Sequence, residues 1–146
     1  MLINRRNIQI EWGDCDAAGT VFFPRYLEYG DACTNHLFAR AGLFKPVMLK
    51  KYNIMGLPLV DLRTRFLVPS DFGDEVVYET CITEWGRSSF LVQHKVYKAD
   101  GILGLEIFEK RVWVKRVSET PVTFRSEPIP EEVKRRFTDP VPETAP

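Results

Sequence analysis

Ile8, Ile10 and Trp12 alternate with Asn7, Gln9 and Glu11, the period-2 pattern of a strand with one buried face. The alternation breaks at Gly13-Asp14-Cys15-Asp16-Ala17-Ala18-Gly19, turn chemistry that carries two carboxylates. Val21-Phe22-Phe23-Pro24 follows, and Pro24 suits the first helical position, where its missing N–H costs nothing. From there to about Ala41, Tyr26, Gly30, Cys33 and Leu37 share one helical face, broadened by Leu27 and Phe38, and Gly42 is a natural stop. A helix apolar over so much of its circumference predicts a sheet that covers it.

An irregular link is expected from Phe44 to Asn53. Val60, Leu62, Thr64, Phe66 and Val68 then alternate with Asp61, Arg63 and Arg65, a strand that ends at Pro69. Ser70-Asp71-Phe72-Gly73-Asp74 is a turn. Strands are predicted at roughly Glu75 to Trp85, Ser89 to Lys98 and Leu103 to Val117, joined by Gly86-Arg87-Ser88 and by a hairpin at Ala99-Asp100-Gly101. Ile107 beside Phe108 fits either a bulge or a strand buried on both faces. Pro121, Pro128, Pro130, Pro140, Pro142 and Pro146 punctuate the end of the chain, where only Pro130 to Phe137 reads as helix. The order predicts one α+β domain over 1–137, an antiparallel sheet wrapped on one long central helix, with a frayed tail over 138–146.

Composition narrows the possible partners. The 146 residues hold 20 Lys and Arg against 20 Asp and Glu, which leaves no broad field to grip nucleic acid or an anionic membrane. A few local cations could still hold a small phosphorylated ligand. No stretch approaches the roughly 20 apolar residues that cross a bilayer. The chain start shows no apolar signal segment. Cys15, Cys33 and Cys81 form neither a C-x-x-C nor a zinc pattern, and only His36 and His94 could assist them. A reduced, cytoplasmic protein without a structural metal is the expectation.

Candidate chemistry concentrates between Trp12 and Tyr26. Asp14 and Asp16 precede a helix start, whose unpaired N–H groups and partial positive charge suit an oxygen that becomes anionic. One carboxylate facing that start could attack a carbonyl or activate water while an N–H polarises the carbonyl. Pro24 has no donor, so the Phe23 N–H is the best candidate. A turn held by Asx-type hydrogen bonds accounts for the same spacing.

The run Glu11-Trp12-Gly13-Asp14-Cys15-Asp16-Ala17-Ala18-Gly19-Thr20-Val21-Phe22-Phe23-Pro24-Arg25-Tyr26 resembles the signature of the 4-hydroxybenzoyl-CoA thioesterases, which have the hotdog fold. The similarity continues through Gly56-Leu57-Pro58-Leu59-Val60, Ser70 to Asp74 and Glu84-Trp85-Gly86-Arg87-Ser88-Ser89-Phe90. It implies that Asp16 is the catalytic carboxylate, nucleophile or general base, and that the Phe23 amide polarises a thioester carbonyl. Asp14 is expected to cap the turn. By residue type, Phe22, Phe23, Tyr26 and Tyr29 are the candidates to line an aryl pocket. Asp31, two helical turns after Phe23, matches a family Asp near the acyl group, which implies contact with an aryl hydroxyl.

For the coenzyme A phosphates, Arg87 matches a basic family position, with Ser88 and Ser89 as hydrogen-bond donors. Gly86 and Ser88 replace charged residues of the family pattern. That departure weakens the nucleotide site or moves it to Lys98, Arg111 or Lys115, and it leaves a carrier protein open as the thiol partner. The expected activity is acyl-CoA thioester hydrolysis, aroyl-CoA above all, by a homodimer or homotetramer. No cofactor is needed, coenzyme A being part of the substrate. A non-catalytic acyl-CoA-binding protein and an enoyl thioester hydratase are the alternatives. The hydratase depends on a His paired with Asp or Glu, and neither His36 nor His94 sits in the Asp16 segment.

Overall fold

The computed structural model describes residues 1–138. Its elements run β1 (Asn4–Gln9), α1 (Phe23–Arg40), α2 (Lys45–Tyr52), β2 (Leu59–Phe66), β3 (Glu75–Trp85), β4 (Ser89–Lys98), β5 (Leu103–Val112), β6 (Val114–Glu119), β7 (Val122–Ser126) and α3 (Glu131–Arg135). The first five strands make one antiparallel sheet in the order β1-β3-β4-β5-β2, and β6 pairs with β7 in a separate hairpin.

The sheet curls around α1, which buries Tyr26, Gly30, Cys33, Thr34, Leu37 and Phe38 against it. Five of these six lie on the predicted face, because the 3.6-residue period survives folding. Two apolar clusters flank the helix. One gathers Ile8, Ile10, Tyr26, Val76, Tyr78 and Ile107 near its start, and the other Leu37, Phe38, Phe90, Val92, Trp113 and Val133 near its end. Truncating a side chain such as Leu37 to Ala removes about 2–5 kcal/mol of stability. A long helix held in the curl of an antiparallel sheet is the hotdog arrangement.

Several expectations require correction. The helix starts at Phe23, one residue before Pro24, so Phe23 itself supplies the first helical N–H. Trp12 does not continue the buried face of Ile8 and Ile10. The strand ends at Gln9, and Trp12 opens a short 3-10 turn in which its ring is exposed and edge-on to Phe72. The link from Phe44 to Asn53 is a helix, α2, with Pro46 in its first turn and Asn53 in the left-handed conformation (φ 50°) behind it. Only Met48 of α2 is fully buried, so its periodicity is faint and the flanking Pro and Asn are its sequence signal.

The predicted strand from Leu103 to Val117 is two strands, split at the buried Trp113. β7 was hidden because Val122 and Phe124 are exposed and prolines flank it. Ile107 and Phe108 pair in regular register with His94 and Gln93, so there is no bulge between them. Ile107 faces the helix, and Phe108 lies on the opposite face under the Arg63 guanidinium. The frayed tail falls outside the described residues except for Thr138, whose N–H and hydroxyl both bind the Arg135 carbonyl.

Candidate active site

The segment between β1 and α1 folds back on itself. Asp16 N–H donates to the Thr20 carbonyl (3.0 Å) and Phe22 N–H to the Asp14 carbonyl (2.8 Å), a short ladder with Gly19 (φ 80°) at its tip. Asp14 is buried and structural. Its Oδ2 accepts the Tyr29 hydroxyl at 2.6 Å and the Glu11 N–H at 2.9 Å. Burial and that carboxylate push the Tyr29 hydroxyl up to about 12.

This wiring isolates one donor at the helix start. The Phe22 N–H is taken by Asp14, Pro24 has none, and Arg25 N–H bonds the Phe22 carbonyl at 2.9 Å. As the first residue of α1, Phe23 has no intrahelical acceptor, and none other is found among the described residues. Its N–H is therefore free, beside the positive end of an 18-residue helix.

Asp16 is exposed. One carboxylate oxygen accepts the Ala18 N–H at 2.9 Å, the Asx-type turn, and the other has no protein partner among the described residues. The ladder sets Asp16 opposite Thr20, three residues before Phe23, or roughly 10 Å of extended chain.

Beside Phe23 opens a cavity of about 150 Å³, walled by Phe23 and Tyr26 of α1, by Phe66 to Pro69 and by Gly104 and Leu105 of β5. Phe22 does not line it; this ring is exposed and packs on Phe23, ring centroids 5.7 Å apart. Asp31 is also elsewhere. Its Oδ1 is 2.7 Å from an Arg111 nitrogen, and it takes no part in the lining. A larger cavity of about 340 Å³ between Lys45, Leu57, Arg111 and Phe124 touches neither Asp16 nor Phe23.

Arg87, Ser88 and Ser89 stand at the far end of the sheet. β3 leaves the Asp71–Asp74 turn beside Asp16 and reaches the Arg87 turn only after eleven residues, roughly 35 Å. Among the described residues Arg87 makes no ion pair. Of the other candidate cations, Lys98 is held by the Pro69 carbonyl, Ser70 and Asp74, and Arg111 is buried among carboxylates. The Asp16 end itself carries Glu11, Asp14, Asp16, Asp71, Asp74 and Glu75, a poor seat for phosphates.

Sequence reasoning named His94 and Arg111 singly but missed the cluster they form with Glu109 and Thr34. Under α1, Glu109 Oε1 accepts the Thr34 hydroxyl at 2.6 Å and lies 3.2 Å from both His94 Nε2 and Arg111 Nε. Thr80 sits 2.8 Å from His94 Nδ1, and Arg111 reaches on to the Leu57 carbonyl and Asp31. Burial alone would raise the Glu109 carboxyl, but His94 and Arg111 outweigh it and hold it at about 2. The available signal was the inward period of β4 and β5, which places His94, Glu109 and Arg111 on the core face. His94 is 0% exposed and Glu109 2%, so this His–Glu pair is sealed from any substrate and does not revive the hydratase alternative.

A curled antiparallel sheet, a central helix and a carboxylate-bearing turn at its start define a hotdog-fold protein. The chain belongs to the Thioesterase-like superfamily, whose model matches residues 10–137. It is 38% identical over 90 residues to the 4-hydroxybenzoyl-CoA thioesterase of Pseudomonas sp. (strain CBS-3), a match covering 60% of this chain and 63% of that protein, under two thirds of its length. The solved structure of the 4-hydroxybenzoyl CoA thioesterase from that strain superposes with a TM-score of 0.84 at 29% identity, covering 92% of this chain and 98% of the other. A gentisyl-coenzyme A thioesterase structure gives 0.77 at 30% identity, over 93% and 100% of the two chains.

Proposed function

We propose that this chain is an acyl-CoA thioesterase acting on aroyl thioesters. Asp16 is its carboxylate catalyst and the Phe23 N–H its oxyanion donor. The observation that carries this reading is the single unclaimed amide at the start of α1, fixed beside an apolar cavity. A thioester carbonyl seated there would develop its negative charge against the Phe23 N–H and the helix dipole. The partner-free oxygen of Asp16 would add to the carbonyl carbon and expel the thiolate, leaving a mixed anhydride that water hydrolyses to the acid and free Asp16. Alternatively, it would take a proton from a water that adds instead and pass that proton to the departing thiolate. No cofactor enters this chemistry. Both thioesterases described above are named for aryl substrates, which supports an aroyl group.

The site is completed by a second copy. β2 is an edge strand exposed along nearly its whole length, with Leu59, Val60, Leu62 and Phe66 open to solvent. Such an edge is a template for strand pairing. A dimer formed there, alone or within a tetramer, covers the rim of the cavity at Phe66 and withdraws Asp16 from water. Arg87, too far for the pantetheine arm of a substrate on its own chain, then serves a neighbour's nucleotide. A reducing, cytoplasmic setting suits the three free cysteines.

The test is direct. Incubating the protein with benzoyl-CoA and a thiol reagent should release free coenzyme A in stoichiometric amount. Binding without release would identify a non-catalytic acyl-CoA carrier instead. Leu62→Glu should shift sedimentation toward the monomer and lower turnover with it.

A further inference from the structure

We infer that Lys98 is a positioning residue for hydrolysis: through the Pro69–Asp74 turn it sets where the Asp16 carboxylate stands relative to the Phe23 N–H. This rests on the thioesterase reading and adds a residue to the machinery of the same site.

Packing does not fix Asp16. Asp14 and Val21 are buried, but no residue between them is, and Ala17 and Ala18 at the tip of the hairpin are exposed. Hydrogen bonds to the Pro69–Asp74 turn hold the hairpin instead. Val21 N–H donates to the Ser70 carbonyl at 3.0 Å and Phe72 N–H to the Gly19 carbonyl at 3.2 Å. Thr20 pairs with Asp71, so the turn runs as a third strand beside the two arms of the hairpin. Asp16 is therefore only as well placed as this turn.

The turn is tied down from two sides. From α1, one helical turn after Phe23, the Tyr26 hydroxyl oxygen accepts the Ser70 N–H at 3.2 Å. From the end of β4, the Lys98 ammonium donates to the Pro69 carbonyl at 2.8 Å, and lies 3.3 Å from Asp74 Oδ2 and 3.4 Å from Ser70 Oγ. Its three protons thus meet three oxygens of one turn. Asp74 Oδ2 in turn accepts the Asp71 N–H at 2.8 Å, next to the residue that pairs with Thr20. The approach of Lys98 needs a glycine at 104. A Cβ there would lie 3.0 Å from the Val68 carbonyl oxygen and 3.5 Å from Lys98 Cγ.

All of these bonds lie within one chain. Lys98 does not line the cavity beside Phe23, so its influence on the reaction passes through the turn. A shift of about 1 Å in a reacting group is enough to slow catalysis by up to about a hundredfold.

The experiment measures kcat and KM for benzoyl-CoA at low and high salt in the full chain and in its Lys98→Met and Lys98→Arg variants. The temperature is one at which circular dichroism shows all three folded. Lys98→Met keeps the stem and removes the donors. Its kcat should fall by about tenfold or more, with KM within about twofold of wild type at both salt concentrations. Lys98→Arg keeps a cation within reach of the same oxygens and should bring kcat back to within about threefold of wild type. A folded Lys98→Met with the wild-type kcat marks a tie that serves stability alone and overturns the inference. So does a loss carried by KM and erased at high salt, the mark of a coenzyme A phosphate contact, and so does Lys98→Arg as slow as Lys98→Met. No release of coenzyme A by the wild type overturns the hydrolase reading, and this inference with it.

Discussion

Two polar regions of this chain are opposites. Around His94, Glu109 and Arg111, polar groups are buried and multiply bonded, and the Glu109 carboxyl is held far below its ordinary range. At the Asp16 turn, an exposed carboxylate makes one bond to its own loop, and a lone amide stands at the helix start. A search for perturbed titratable groups would lead to Glu109. Access says the reverse: Glu109 bonds groups on α1, β4 and β5 and lines neither cavity described above. Perturbation marks a site only where a substrate can reach it. The buried cluster fixes α1 to the sheet through Thr34, and so fixes where the Phe23 N–H stands.

That contrast can be broken by substitution. The largest stability effect is expected for Glu109→Ala, which strands Arg111 and His94 without their carboxylate. It should cost about 3–5 kcal/mol, seen as a melting temperature lower by about 10 °C. An unchanged melting temperature would mean the cluster holds nothing in place.

Acid acts on the same group. Glu109 ionises at about 2 in the fold against 4.5 ordinarily. Its depressed value makes its contribution fully present above pH 4.5 and progressively lost as pH falls through 2, on the order of 3 kcal/mol. Denaturant titrations between those limits should show that slope in the wild type and a flatter one in Glu109→Gln.

Tyr29→Phe removes the hydroxyl that binds Asp14 and should cost about 1–3 kcal/mol. Because Asp14 positions Phe22, turnover should fall as well, which a kcat measurement at fixed temperature checks. The smallest effect belongs to Asp31→Asn. Its carboxylate is 57% exposed, so the pair with Arg111 is worth at most about 1 kcal/mol.

Much of this was legible in the sequence. β3 and β4 match their predicted limits residue for residue, since alternation over ten or more positions is a strong signal. The helix face followed from its period, and the absence of a donor at Pro24 pointed to Phe23. What escaped was short or non-local. α2 buries too little to show a period, and β7 buries nothing. The cavity draws on α1, β2 and β5 at once, and the separation of Arg87 from Asp16 is a property of sheet length. No local pattern encodes such distances.

Asp16→Asn measures the central claim most directly. It removes a charge from an exposed turn while leaving an oxygen to accept the Ala18 N–H, so the melting temperature should hold. Hydrolysis of benzoyl-CoA should fall by about a thousandfold or more. A variant that melts like the wild type and still turns over benzoyl-CoA at the wild-type rate would contradict the assignment.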